Sequence, residues 1–244
     1  MVKIENFNTG PKANPDVINI KIDPSENIKN KKKIKQLLKN IVESNNKDLE
    51  KNIHNAYHQN AELKCFHPIN DINGIDEIYH KLWLPIKYSF TDLERRDCLV
   101  LGGSFQDKVF VSTISLLTGT YKNSWLGIPT NNKTIHLRMC EAHEIKDDKI
   151  IHSHILLDVI DFIRQAGFWP INKSNGAEGL WANSITGDGA IFENIDKQLS
   201  LSSLEQALTM QRSLNIKPES DPNADHAYVK EKLINHPQKE FWHK

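Results

Sequence analysis

No run of about 18 apolar residues occurs anywhere in the 244-residue chain, which excludes a membrane-spanning helix. Basic charge is not in excess. Lys+Arg and Asp+Glu both number 31, the formal net charge is zero, and a nucleic-acid partner is not expected. Cysteine is scarce: Cys65, Cys98 and Cys140 are odd in number and share no close spacing, which argues against a disulfide framework or a cysteine-only zinc site. They read as small buried hydrophobes of a reducing compartment. Met1-Val2-Lys3-Ile4-Glu5-Asn6 has no apolar h-region, so a cytoplasmic location is expected. A Gly-x-Ser-x-Gly elbow, a P-loop and a dinucleotide fingerprint are all missing, which leaves hydrolase-fold, NTPase and Rossmann readings without support.

What remains is 39% apolar and 25% charged, the composition of a globular chain able to bury a core without disulfides or metal. Residues 1–28 are polar, with Gly10-Pro11, Asn14-Pro15 and Asp23-Pro24 as breakers, and read as an arm with a short strand at 17–22. Ile34, Leu37, Leu38, Ile41 and Val42 form one apolar helical stripe. A second helix is predicted over 47–57 and a strand over 61–67, ending at Pro68. A further helical stretch begins at Gly74, with Pro85 expected to break or kink it. Residues 96–102, 105–121, 134–145 and 149–158 are β-branched and apolar without helical period, and turn signals separate them. This predicts an α+β fold with a four-strand antiparallel meander. Beyond residue 170 the chain loosens. Ser202-Ser203-Leu204-Glu205 fits a capping box starting a late helix, and a last helix is expected over 226–234. The organisation is an arm (1–28), a main domain (29–170) and a C-terminal extension with two helices (171–244).

The segment 136–158 carries the chemistry. With Asp147-Asp148 as a two-residue turn, His143 faces His152, Glu141 faces His154, Met139 faces Leu156 and Leu137 faces Asp158. Side chains alternate, so Glu141, His143, His152, His154 and Asp158 are expected on one side of the sheet among apolar neighbours. Under a curved sheet they would line a pocket, where desolvation raises carboxylate pKa values towards neutrality and suits acid–base work. Exposed to water, they would be only a polar face. A two-His, one-carboxylate metal site drawn from His143, His154 and Glu141 or Asp158 is the rival use of the same groups.

Several segments, in order, resemble a known family. They are Cys65-Phe66-His67-Pro68-Ile69-Asn70-Asp71 followed by Gly74, Trp83-Leu84-Pro85, and Phe90-Thr91-Asp92-Leu93-Glu94-Arg95-Arg96. Gly119-Thr120-Tyr121, Trp125-Leu126-Gly127-Ile128-Pro129, and Ile150 through Asp158 with Arg164-Gln165-Ala166-Gly167 complete the set. They resemble the SnoaL-like polyketide cyclases, or predicted ester cyclases, of the NTF2-like superfamily, over residues 35–170.

The resemblance implies an NTF2-like α+β cone, a curved antiparallel sheet wrapped around helices with a pocket in its mouth, and homodimers packed through the sheet. It implies general acid–base catalysis of an intramolecular aldol-type ring closure on a small carbonyl or polyketide-like substrate, with no metal or organic cofactor. The family aspartate matches Asp158 and the family histidine matches His143. His67, Trp83, Trp125, Glu141 and His154 are expected around the substrate. A non-catalytic NTF2-like binding or dimerisation protein is the alternative. The Gly-Ile-Pro-Pro-Thr-Gly pattern of many members departs here to Gly127-Ile128-Pro129-Thr130-Asn131-Asn132, and Phe241-Trp242-His243-Lys244 looks like the start of a second domain.

Overall fold

The computed structural model describes residues 24–105, 107–169, 171–172, 187–190, 192 and 196–214. Those from Pro24 to Phe192 form one compact unit, and a C-terminal helix belongs to a second.

The first unit opens with α1 (Pro24–Glu43), which buries Ile34, Leu38, Ile41 and Val42, the stripe expected from the spacing. It starts earlier than expected, because proline suits the first helical turn, where its missing N–H costs nothing. Then follow α2 (Leu49–Ala56), β1 (Tyr57–Lys64) and β2 (Asp71–Asn73). A helical run continues as α3 (Ile75–Glu77), a π-helical segment (Ile78–Trp83) and α4 (Leu84–Ser89). Pro85 does not end it, because it stands in the first turn of α4, where proline is tolerated. The strands β3 (Phe90–Phe105), β4 (Lys108–Tyr121), β5 (Thr134–Lys146) and β6 (Lys149–Leu157) form the expected meander, followed by α5 (Val159–Gln165).

The six strands lie in the order β2-β1-β6-β5-β4-β3. The sheet is mixed rather than wholly antiparallel, because β1 pairs parallel with β6. The long connection that parallel pairing requires is supplied by the helical run and the meander between them. Bulges interrupt β3 twice, between the partners of Thr91 and Glu94 and of Asp97 and Leu99. Such insertions bend a strand and increase its twist. One sheet face is buried beneath helices: β4 hides every second residue from Val111 to Tyr121, and β5 hides Ile135 to His143 likewise.

The turn between β5 and β6 is as expected. Asp147 and Asp148 have φ of 48° and 66°, and Lys146 faces Lys149. The positive φ at both residues is what a type I′ hairpin turn needs. One step on, the register changes. Ile145 pairs with Ile150, but Glu144 pairs with His152, so Ile151 is an extra, bulged residue. His143 therefore faces Ser153 and Glu141 faces Ile155, not His152 and His154. A one-residue slip turns every later side chain to the other side of the sheet.

The core narrows to an aromatic cluster. The Phe90 and Tyr121 rings stack 4.9 Å apart, and Phe162 meets Tyr121 edge-on at 5.1 Å. In the second unit, α6 (Lys197–Leu214) starts before Ser202, because the Asp196 side chain caps it, accepting hydrogen bonds from the Gln198 and Leu199 N–H groups at 2.7 and 3.2 Å. The strand expected over 17–22 and the helix expected over 226–234 lie outside the described residues.

Candidate functional site

The buried face of the sheet carries a charged cluster within an otherwise apolar core. Arg95 on β3 donates through Nη2 to Glu141 Oε2 at 2.6 Å and to Thr113 Oγ1 at 2.9 Å, and through Nε to Asp97 Oδ1 at 2.9 Å. Thr113 Oγ1 donates in turn to Glu141 Oε2 at 2.8 Å. Thr113 stands directly opposite Glu141 across the β4–β5 ladder, while Arg95 reaches both from β3. Two residues along β5, His143 holds Ser153 Oγ at 2.7 Å through Nδ1.

Burial decides the electrostatics. Glu141 and His143 are 0% exposed and Arg95 3%. Burial pushes the Glu141 carboxyl up, but the Arg95 charge, the nearby His143 and the hydrogen bonds from Arg95 and Thr113 outweigh it, leaving its pKa below the ordinary value. Burial dominates at His143 and, with a smaller push from the Arg95 charge, pulls its pKa down to about 4 against the opposing pull of Glu141. The pair is thus a carboxylate beside a neutral imidazole at neutral pH. Asp97 is shifted upward, because desolvation exceeds what Arg95 returns.

Several polar atoms of this region are buried without a hydrogen-bond partner: Glu141 Oε1, His143 Nε2, Arg95 Nη1 and Ser115 Oγ. Glu141 Oε1 and His143 Nε2 are 3.8 Å apart, beyond hydrogen-bond reach. Buried polar atoms are almost always satisfied, so this concentration sets the cluster apart from the apolar packing around it.

The sequence-predicted residues divide. Glu141, His143 and Trp83 lie on the buried side. Asp158 does not join them. It lies at the N-terminus of α5, where its side chain accepts from the Asp161 N–H at 2.9 Å and pairs with Arg138 Nη2 at 2.7 Å. His152 and His154 are exposed on the outer side, because the Ile151 bulge reverses them. That also splits the metal set drawn from the sequence between two faces. Among the described residues no group of three or more His, Cys, Asp or Glu is placed to hold a metal ion. His67 is exposed before a cis proline, its ring 3.4 Å from Asn70 Oδ1. Trp125 packs edge-on against Phe66 and Phe90, with centroids 6.2 and 6.0 Å apart.

Sequence reasoning missed Arg95, Thr113 and Ser153. Arg95 carried a signal: it falls inside a segment whose inward neighbours, Phe90 and Leu93, are apolar.

No family model matches the chain, and no curated protein does. Solved structures do. A candidate SnoaL-like polyketide cyclase from Jannaschia sp. CCS1 is 12% identical over 57% of this chain and 95% of its own, with a TM-score of 0.47. AclR, a candidate hydroxylase from Streptomyces galilaeus, is 12% identical over 78% of this chain and 99% of its own, with a TM-score of 0.48. IdmH, a candidate polyketide cyclase from Streptomyces antibioticus, is 16% identical over 60% of this chain and 99% of its own, with a TM-score of 0.44. The structural neighbours include SnoaL-like polyketide cyclases. Likeness at this level says nothing of chemistry.

Proposed function

We propose that the chain is an acid–base enzyme of the SnoaL-like polyketide cyclase type, cofactor-independent and acting on a small carbonyl substrate, with His143 and Glu141 as the reacting groups. The observation that carries this reading is the facing pair of unpartnered atoms, His143 Nε2 and Glu141 Oε1, both fully buried. Removing a proton beside a carbonyl needs a base that is unprotonated at working pH, and a buried imidazole held near 4 meets that condition. With Nδ1–H donated to Ser153, Nε2 takes the proton, Glu141 steadies the imidazolium, and the proton returns to the oxygen formed in ring closure. Asp158 has no part in this scheme and serves α5 instead.

The test is deuterium incorporation next to the carbonyl of a ketone and ester panel in D2O. The wild type should exceed His143→Ala by about 10²–10⁴-fold for at least one compound. Wild-type rates equal to buffer throughout would overturn the reading.

The closed state of the cluster favours a second reading, a non-catalytic binder. It predicts ligand-induced changes in the His143 ring signals with no exchange. In both readings a second copy packs on the outer sheet face, where Leu156 and Leu101 are 64% and 56% exposed.

A further inference from the structure

A second buried charge lies outside the Glu141 cluster, where α1 packs against Gly102 on β3. Lys31 is 9% exposed, and among the described residues no carboxylate pairs with it. Gly102 makes the room, since a Cβ there would stand 2.4 Å from Asn27 Oδ1 and 2.8 Å from Lys31 Cγ. The Asn27 amide therefore lies alongside the lysine stem. Its Nδ2 donates to Gly102 O at 2.9 Å, while its Oδ1 is buried without a partner. The Lys31 ammonium sits 5.0 Å from the centroid of the Phe192 ring, itself 8% exposed. Lys35, one turn on, holds its own ammonium 5.4 Å from the same centroid and 3.5 Å from Ala190 O, and its charge also reaches Asp97. Burial holds Lys31 below the ordinary lysine pKa, and no anion offsets it. More of it is therefore neutral amine, the nucleophilic form, than on an exposed lysine.

We propose that Lys31 is a carbamylation site, at which its neutral amine adds to carbon dioxide. The nitrogen lone pair forms the N–C bond, one C=O π pair moves onto oxygen, and the amine releases one proton to solvent, leaving a carbamate anion. Charge and size both select this electrophile. As an ammonium, Lys31 is an unpaired cation that shares a ring with a second cation. As a carbamate, it is an anion that Lys35 can pair, with an N–H for which Asn27 Oδ1 is an open acceptor. Carbon dioxide is small and uncharged, which suits an amine that is nearly covered. An aldehyde would give a neutral imine without an N–H, and neither neighbour would gain a partner. The site is separate from the His143–Glu141 pair and does not rest on the acid–base reading.

The probe is 13C-labelled bicarbonate in equilibrium with carbon dioxide, added to the full chain and read by 13C NMR. The wild type should show a carbamate resonance that is absent from Lys31→Arg, where the charge stays and the nucleophile is lost. Carbamates on exposed amines persist in both. Lys35→Gln should raise the carbon dioxide needed for the Lys31 signal about tenfold, through loss of one partly buried charge pair. Identical spectra for the wild type and Lys31→Arg overturn the proposal. A signal indifferent to Lys35→Gln overturns the pairing that selects carbon dioxide. A second measurement needs no variant. Cyanate, a linear analogue that adds to the same amine, should modify Lys31 before the exposed Lys29 and Lys32 in peptide maps of the wild type. Lys31 lagging behind both overturns the reactive amine.

Discussion

His143 Nε2 stands 3.8 Å from Glu141 Oε1, and neither atom has another partner. The imidazole is therefore buried neutral beside a charge that it does not bond. Its folded pKa of about 4 lies below the ordinary 6.5. A depressed histidine pKa means that the unfolded chain binds the proton first, so stability is full above about pH 6.5 and falls as pH drops towards 4. The shift corresponds to about 3 kcal/mol. Urea unfolding from pH 7 to 4 should show the wild type losing this much more than His143→Gln. Parallel curves for the two proteins would refute the buried neutral histidine.

Arg95 and Glu141 should behave as a unit. Arg95→Met strands the Glu141 carboxylate in the core and should cost about 3–5 kcal/mol. Glu141→Leu alone strands Arg95 with only Asp97 to pair it. The double variant should recover much of the loss, because two apolar side chains need no partner. A double-mutant cycle by chemical denaturation measures the coupling, and additive losses would show that the pair does not act as one.

Asp158 is the residue whose role changes most between sequence and structure. Its carboxylate caps α5 and pairs with Arg138. Asparagine caps a helix nearly as well as aspartate, while alanine costs about 1 kcal/mol. Asp158→Asn should leave ligand perturbation of His143 and any exchange activity within about twofold of wild type. Asp158→Ala should lower Tm. A collapse of exchange activity in a well-folded Asp158→Asn protein would return this aspartate to the chemistry.

How much of this was legible in the sequence follows from which interactions are local. The stripe from Ile34 to Val42 and the Asp147-Asp148 turn were readable, because each is set within a few residues. Glu141 and His143 were readable as partners on one face because they share a strand at i, i+2. The Ile151 bulge was not: nothing in Ile150-Ile151 marks which isoleucine is extra, and packing of the finished sheet decides it. That single residue moved His152 and His154 outward and left Asp158 outside the buried cluster. Arg95 and Thr113 were hidden for a different reason. They meet Glu141 from 46 and 28 residues away, and no local pattern encodes that distance. Trp125, expected near the substrate, packs edge-on against Phe66 and Phe90, contacts that no local pattern encodes.

The same bulge gives the outer face its character. It places Leu156 opposite Cys140, and Cys140 faces Ile114 on β4, so an apolar band runs across three strands on the solvent side. Leu156 is 64% exposed there, more than any other large hydrophobic on the sheet's described residues. If a second copy covers this band, the two-fold axis sets like residues near one another. A glutamate at the centre then meets its own copy and carries an unpaired charge into the interface. Sedimentation velocity over a concentration series should show a wild-type dimer, with Leu156→Glu weakening it by tenfold or more, about 1.4 kcal/mol or above. His152→Glu, towards the hairpin end of the same strand, should have a smaller effect. A wild type that stays monomeric at about 100 μM, where a dissociation constant in the micromolar range would already give dimer, removes the outer face as a self-association surface and leaves its apolar band without a partner of the same chain.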